Sequence, residues 1–283
     1  FRNCGEQEFE RAVYTSLHKY DVGMILYMSD NYGSIATNYA LYRAVNELGK
    51  KAAVLERWGG MMHDKAFKFA KKYMKLTGDF IEMGDWQAAN QCFDTFIVGS
   101  DISWDWWMHY IDQIFQYMML GFADKNKRMI AYASSFGELK GKKDIDAEAR
   151  ALGTYCLKRF DAISVREDYG VDICMDLFDA QAVQVLDPVW LCSRKIWNEL
   201  SAMSQLKFDE EYLLAYILNP TPDKRQVLLE TARELDKKLV IILDQESYRE
   251  AARRIMNLDE KIVNPEFIDW LAYFQHASTA LFK

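Results

Sequence analysis

Short apolar runs separated by helix-length amphipathic segments constrain this chain more than any other feature. Residues 22–28 read VGMILYM, a continuous apolar run of the length a strand needs when both of its faces are buried. The polar stretch S-D-N-Y-G-S follows at 29–34. Helical periodicity then runs over 35–48, with Ala36, Tyr39, Ala40, Ala44 and Leu48 near one face. Gly49 is placed to end that helix, because glycine accepts the left-handed backbone of a helix stop. A second strand at 52–55 completes a β-α-β unit, whose crossover is expected to be right-handed.

The alternation continues to the end of the chain. Strands are predicted at 95–98, 129–132, 162–165, 183–186, 212–217 and 239–243. Helical patterns fall at 6–19, 64–76, 144–158, 168–178, 223–236, 247–256 and 266–276. Strands alternating with helices predict a doubly wound α/β fold with mainly parallel sheets. At 283 residues the chain is long enough for two lobes. A polar, partly helical stretch at 193–207 separates two strand series. The expected division is an N-terminal Rossmann-like lobe over 1–200 and a partial C-terminal Rossmann-like lobe over 201–283.

Charge and cysteine usage narrow the function classes. The net charge of −7 argues against a nucleic-acid binder, which would usually carry a basic face. The five cysteines, Cys4, Cys92, Cys156, Cys174 and Cys192, form no C-x-x-C pair, and the four histidines lie far apart. That excludes zinc-type spacing and predicts buried, reduced thiols in a cytoplasmic protein. No metal or cofactor is called for. No signal peptide and no apolar run near about 18 residues is present, so no membrane span is expected. The chain begins at Phe1, which suggests a processed or partial sequence.

In open α/β sheets, ligands bind beyond the carboxyl ends of the strands. The loops there hold Asn31, Gly33 and Ser34, then Ser100 and Asp101, then Ser134 and Ser135, then Arg166, Glu167 and Asp168, then Asp187 and Pro188. In the second strand series they hold Asn219 and Pro220, then Asp244, Gln245 and Glu246. Asn31 and Ser34 suit a helix cap, and Gly33 allows close backbone approach. The same helix N-terminus suits an anion such as phosphate or carboxylate. The loop matches neither G-x-G-x-x-G nor a Walker sequence, which weakens nicotinamide and P-loop readings. Asn38 lies on about the same helix face as Asn31 and is a candidate cleft residue. Arg166 ends an apolar strand. Its guanidinium suits a bidentate clamp on carboxylate or phosphate, or else an ion pair with Glu167, Asp168 or a neighbouring lobe. Trp104, Trp106 and Trp107 suit stacking on a sugar ring, or interior packing. His109 is a lone histidine, and there is no G-x-S-x-G elbow.

On these residues the chain resembles the polysaccharide pyruvyl transferase family. The likeness runs through MILYMSDNYGSIATNYALYRAVNELG, FDTFIVGSDISW, KRMIAYASSFGE, FDAISVREDYGVDIC and VQVLDPVWL, in that order and spacing. It implies a GT-B-like fold of two Rossmann-like lobes. It also implies transfer of a pyruvyl group from phosphoenolpyruvate, as co-substrate, to sugar hydroxyls of a polysaccharide or its precursor, forming a ketal. A lipid-linked glycan acceptor would bring the enzyme close to a membrane surface. Arg166 matches the arginine of the family's S-x-R-[ED] motif, which implies anion binding. Asn31, Ser100 and Asp101 match cleft-loop positions.

One departure bears on the expected site. After the helix ending near His276, family members continue into a strand and then a D-S-F-H-G-like motif. Here the sequence reads H-A-S-T-A-L-F-K and stops. His276 precedes that motif and does not inherit its role. The expectation is a pyruvyltransferase whose second lobe is incomplete in this sequence, with the catalytic acid unassigned. The W-G-G-M-M passage at 58–62 reads as a second such gap. Two other readings compete: a nucleotide-sugar-dependent glycosyltransferase, and a non-catalytic glycan-related binding domain.

Overall fold

The computed structural model describes residues 20–27, 31–55, 64–77, 85–105, 117–137, 145, 147–243 and 249–282. The helix expected at 6–19 and the passage at 58–62 lie outside them.

In chain order the elements are β1 (Val22–Ile25), α1 (Tyr32–Glu47), β2 (Ala52–Val54), α2 (Asp64–Tyr73), α3 (Trp86–Cys92), β3 (Thr95–Asp101) and β4 (Arg128–Ser134). Then come α4 (Ala147–Leu157), β5 (Ala162–Val165), α5 (Asp168–Phe178), β6 (Val183–Gln184), a 3-10 turn (Pro188–Leu191) and α6 (Arg194–Ser201). The last are β7 (Tyr212–Ile217), α7 (Pro222–Glu234), β8 (Lys238–Leu243), α8 (Arg249–Met256), β9 (Ile262–Val263), α9 (Phe267–His276) and β10 (Thr279–Phe282).

Two sheets carry these strands, one of order β2-β1-β3-β4-β5-β6 and one of order β10-β7-β8-β9. Every strand pairing in both is parallel. The apolar runs form strands because both faces are covered. All four residues of β1 are buried, and only Lys238 of β8 is exposed. Helix α1 stops as expected: Gly49 sits at φ 77, and its N–H reaches Asn46 O at 2.9 Å. Leu48 lies past the helix end and is 81% exposed, so it does not share the apolar face expected of it.

The chain divides into two units. The first holds residues 1–28, 34–61 and 70–191, and the second holds 29–33, 62–69 and 192–283. The division falls between Leu191 and Cys192, ahead of the 200/201 boundary expected from the sequence. The reason is α6, whose bonds run to α9: Ser201 Oγ donates to Gln275 Oε1. Just beyond α6, Ser204 Oγ donates to Asp269 Oδ1 at 2.7 Å.

The core of the first unit gathers Ile25, Phe93, Phe96, Val98, Trp104, Phe136 and Phe178. In the second, Leu213, Ala215, Ile217, Leu239, Ile241 and Leu243 cover one sheet face, and Tyr212, Leu214, Val240 and Ile242 cover the other. Residues alternate between the faces because a strand's side chains alternate.

Candidate functional site

In the first sheet β1 lies between β2 and β3, so the connections after β1 and before β3 run to opposite sides. This is a topological switch point, where the carboxyl ends of parallel strands leave a crevice. Ser34 follows β1 and Asp101 ends β3, so both belong to that edge.

The backbone builds the edge first. Asp101 takes a left-handed conformation, φ 64, which aspartate tolerates better than most residues. Its carbonyl accepts from Ser103 N at 2.7 Å and Ser135 N at 2.9 Å, and Trp104 N donates to Ser135 O at 2.9 Å. The turns after β3 and β4 are thereby tied together. Gly99 sits at φ 150 against β4, where a Cβ would stand 2.1 Å from the Tyr132 carbonyl oxygen. The glycine of the G-S-D sequence is therefore required by strand contact.

Arg166, just past β5, is the centre of the side-chain network. Its Nε donates to Glu167 Oε1 at 2.9 Å and its Nη1 to Asp187 Oδ2 at 3.2 Å, with Asp101 Oδ1 3.5 Å from the same Nη1. Nη2 makes no hydrogen bond among the described residues. Ser135 Oγ donates to the same Glu167 oxygen at 2.9 Å and accepts from Gly137 N at 3.1 Å. Thr37 Oγ1 donates to Asp187 Oδ1 at 3.0 Å, an oxygen that also accepts from Val189 N at 2.9 Å. Helix α1 thus sends Thr37 to Asp187, and Ser34, one turn earlier, to Asp101.

Burial sets the electrostatics. The side chains of Arg166 and Asp101 are 29% and 19% exposed, so both are desolvated yet reachable. Burial opposes the charge on Arg166. Glu167, Asp101 and Asp187 outweigh it and hold the guanidinium above its ordinary value. Burial also raises Asp101. Arg166, the Ile102 N–H and Ser34 pull it down and Asp187 pushes it up, and the net direction is upward. Ser100, Ser103 and Ser134 carry buried hydroxyl oxygens, and Glu167 a buried Oε2, without a partner among the described residues. Such atoms cost about 1–3 kcal/mol each unless something bonds them.

The expected site residues therefore divide. Asp101, Ser135 and Arg166 are brought together, whereas Ser100, next to Asp101 in β3, is fully buried with no bond from its hydroxyl among the described residues. Asn38 is fully buried and donates to Tyr27 O at 2.8 Å, so it braces the end of β1 and does not face a cleft. Ser34 donates to the same carbonyl at 2.8 Å. Asn31 and Gly33 group with the second unit, where Asn31 Oδ1 lies 3.3 Å from the point a Cβ on Gly33 would occupy. Trp104 is fully buried and donates from Nε1 to Met118 O at 2.9 Å, the packing alternative; Trp106, Trp107 and His109 lie outside the described residues. His276 ends α9 and stacks on Phe208 at 4.6 Å. Glu167, Asp187, Ser34 and Thr37 join the network without having been singled out as site residues. The S-x-R-[ED] and L-D-P sequences at two neighbouring strand ends were the signal for the first two.

Four cysteines, Cys92, Cys156, Cys174 and Cys192, are free and buried. Burial pushes Cys92 and Cys156 up to about 11 and Cys174 to about 12, so these three are not thiolates at neutral pH. Among the described residues no group of His, Cys, Asp and Glu is placed to hold a metal ion, and no helix is long and apolar enough to cross a membrane.

The family described as polysaccharide pyruvyl transferase matches residues 31–279. The chain belongs to the polysaccharide pyruvyl transferase family. No curated protein matches it. Among solved structures it is similar to an α-glucosyltransferase in complex with UDP and a 13-mer DNA, at TM-score 0.57 and 8% identity, covering 93% of this chain and 72% of that one. It is also similar to UDP-N-acetylglucosamine 2-epimerases. The one from Rickettsia bellii gives TM-score 0.53 and 9% identity, with 93% and 74% covered. The one from Neisseria meningitidis gives TM-score 0.51 and 8% identity, with 93% and 77% covered. These likenesses show the fold, a GT-B-like α/β architecture of mainly parallel sheets. This member of the transferase family carries its S-x-R-[ED] arginine, Arg166, inside a ring of carboxylates.

Proposed function

We propose that this chain transfers a pyruvyl group from phosphoenolpyruvate to two hydroxyls of a sugar in a polysaccharide or its precursor, forming a cyclic ketal. The observation that carries this reading is the family match across nearly the whole chain.

The site has features the reaction needs. Protonation of the enolpyruvyl methylene makes an oxocarbenium-like carbon, two hydroxyls add to it in turn, and phosphate leaves. The anionic donor needs a fixed cation, and proton transfer needs acids and bases near the reacting atoms. Arg166 is positioned by Glu167 and Asp187, with Nη2 left to meet a carboxylate or phosphate oxygen. Asp101, Glu167 and Asp187 are acceptors for sugar hydroxyls. The acceptor is a sugar or lipid-linked glycan, and the reaction runs in the cytoplasm, where the free thiols stay reduced.

The test is phosphate release from phosphoenolpyruvate by the full-length protein with a panel of diol-bearing sugar acceptors. Acceptor-dependent phosphate release and a ketal product are expected. Folded protein that releases no phosphate with any acceptor, yet turns over a nucleotide-sugar, would replace this reading with glycosyl transfer.

A further inference from the structure

We propose that Ser135 is a positioning residue for Arg166: its hydroxyl holds the Glu167 carboxylate against the guanidinium Nε, and so fixes the angle at which the arginine meets an anionic ligand. That the ligand is phosphoenolpyruvate rests on the pyruvyl-transfer reading; the hold on Arg166 does not.

The first argument is that Ser135 keeps no hydrogen for a substrate. It is 1% exposed. Its N–H donates to Asp101 O at 2.9 Å, and its carbonyl accepts from Trp104 N at 2.9 Å. Its Oγ accepts from Gly137 N at 3.1 Å and gives its one hydrogen to Glu167 Oε1 at 2.9 Å. The Tyr169 phenol also touches this hydroxyl. Its own hydrogen goes to Gly137 O at 2.9 Å, and a carboxylate is the stronger acceptor for the serine.

The second argument is direction. Tyr169 pins the Gly137 carbonyl, the Gly137 N–H occupies a lone pair of Ser135, and the Ser135 hydrogen is left aimed at Glu167. Arg166 Nε donates to that same Glu167 oxygen at 2.9 Å. One carboxylate oxygen therefore takes two hydrogens, one from the turn after β4 and one from the guanidinium after β5. Strand register brings the two donors together: Ser134 pairs with Val165, and Arg166 N donates to Ser134 O at 3.1 Å.

The third argument is what Glu167 forgoes. It is the N-cap residue of α5, in extended backbone, yet its side chain makes no cap bond. The positive end of a helix attracts a carboxylate, so α5 and Arg166 compete for this one. The Ser135 hydroxyl tips the competition toward Arg166. A side chain that gives up its local role for a contact from another strand is expected where function overrides local preference. Without the hydroxyl, Glu167 is free to turn to the end of α5. Arg166 then loses its Nε partner and pivots about the 3.2 Å bond from Nη1 to Asp187.

The experiment is a double-mutant cycle in the full-length protein: wild type, Ser135→Ala, Glu167→Ala and the pair. The first readout is the Arg166 Nε–H resonance in ligand-free, arginine-labelled protein, identified by its loss in Arg166→Lys. The second is phosphoenolpyruvate affinity by calorimetry, beside steady-state kinetics. Ser135→Ala should move the resonance and speed its exchange with water. It should weaken phosphoenolpyruvate binding by about 5- to 20-fold and raise KM more than it lowers kcat. In the Glu167→Ala background the same substitution should change affinity by less than about twofold, because the hydroxyl acts through the carboxylate. An undiminished effect in that background makes Ser135 a direct substrate contact and overturns the proposal. An unmoved resonance with wild-type affinity in Ser135→Ala also overturns it, whatever the melting temperature. Should Ser135→Ala fail to fold, Ser135→Cys takes its place, because a thiol keeps the shape and donates only weakly; smaller changes in the same directions are expected. A wild type that binds no phosphoenolpyruvate, with a resonance that Ser135→Ala moves only when Glu167 is present, supports the hold on Arg166 and removes pyruvyl transfer as its use.

Discussion

Arg166 Nη1 donates to Asp187 Oδ2 across 3.2 Å, joining the end of β5 to the loop after β6. The same guanidinium holds Glu167 and faces Asp101, so it cancels charge that the fold itself has gathered. Replacing Arg166 with Ala is expected to destabilise the protein by about 2–4 kcal/mol, since breaking a largely buried ion pair leaves carboxylates uncompensated. Denaturant unfolding measures this. Arg166→Lys keeps the charge but loses the fork, and should weaken phosphoenolpyruvate binding by about tenfold or more. Unchanged affinity in Arg166→Lys would show that the guanidinium serves the carboxylates alone.

Thr37 reaches the opposite side of Asp187. Thr37→Val removes the 3.0 Å hydrogen bond with little change of shape. The expected cost is about 1 kcal/mol of stability. Asp187 then loses one of the groups that aim it at Arg166, so KM for phosphoenolpyruvate should rise more than kcat falls. Steady-state kinetics on the variant separates the two.

Gly99→Ala would place a methyl 2.1 Å from the Tyr132 carbonyl oxygen. Because the obstacle is backbone, relief requires β3 and β4 to separate. A loss of about 3 kcal/mol is expected from overpacking together with an unfavourable φ. A melting temperature equal to wild type would mean that β3 and β4 accommodate the methyl without separating.

The pH dependence follows from Asp101, whose value is raised in the folded protein. A raised acid binds its proton more firmly when folded, so its contribution is fully present below the ordinary aspartate value. It is lost as pH rises toward the folded value. Across that window stability should fall with pH by at most about 1.4 kcal/mol per unit. Asp101→Asn should flatten this component of the slope. Denaturant midpoints measured across the acid-to-neutral range, wild type against variant, provide the check, and parallel curves would remove Asp101 as the source.

Much of the fold was legible in the residues. Ala162–Val165, Tyr212–Ile217 and Asp168–Phe178 fall where apolar runs and helical spacing put them. Helix α3 was missed because W-Q-A-A-N-Q-C is too short for a periodicity to repeat. Strand β9 was missed because two residues carry no alternation. The site was legible as a set of polar strand ends but not as a network. Asn38 read as a cleft residue because periodicity cannot tell an inward polar group bonded to a backbone carbonyl from an exposed one.

The sequence by itself determined the element types, the parallel alternation and the polar loops at the carboxyl ends of the strands, because those depend on spacings within a few residues. Tertiary structure alone decided which loops meet. Thr37 and Asp187 are 150 residues apart, and Ser135 and Glu167 are 32 apart. Their contacts depend on the order β2-β1-β3-β4-β5-β6, which brings the ends of β1 and β3 side by side. Strand order is settled by how two sheet faces are covered by helices, a property of the whole packed unit that no local window of residues contains.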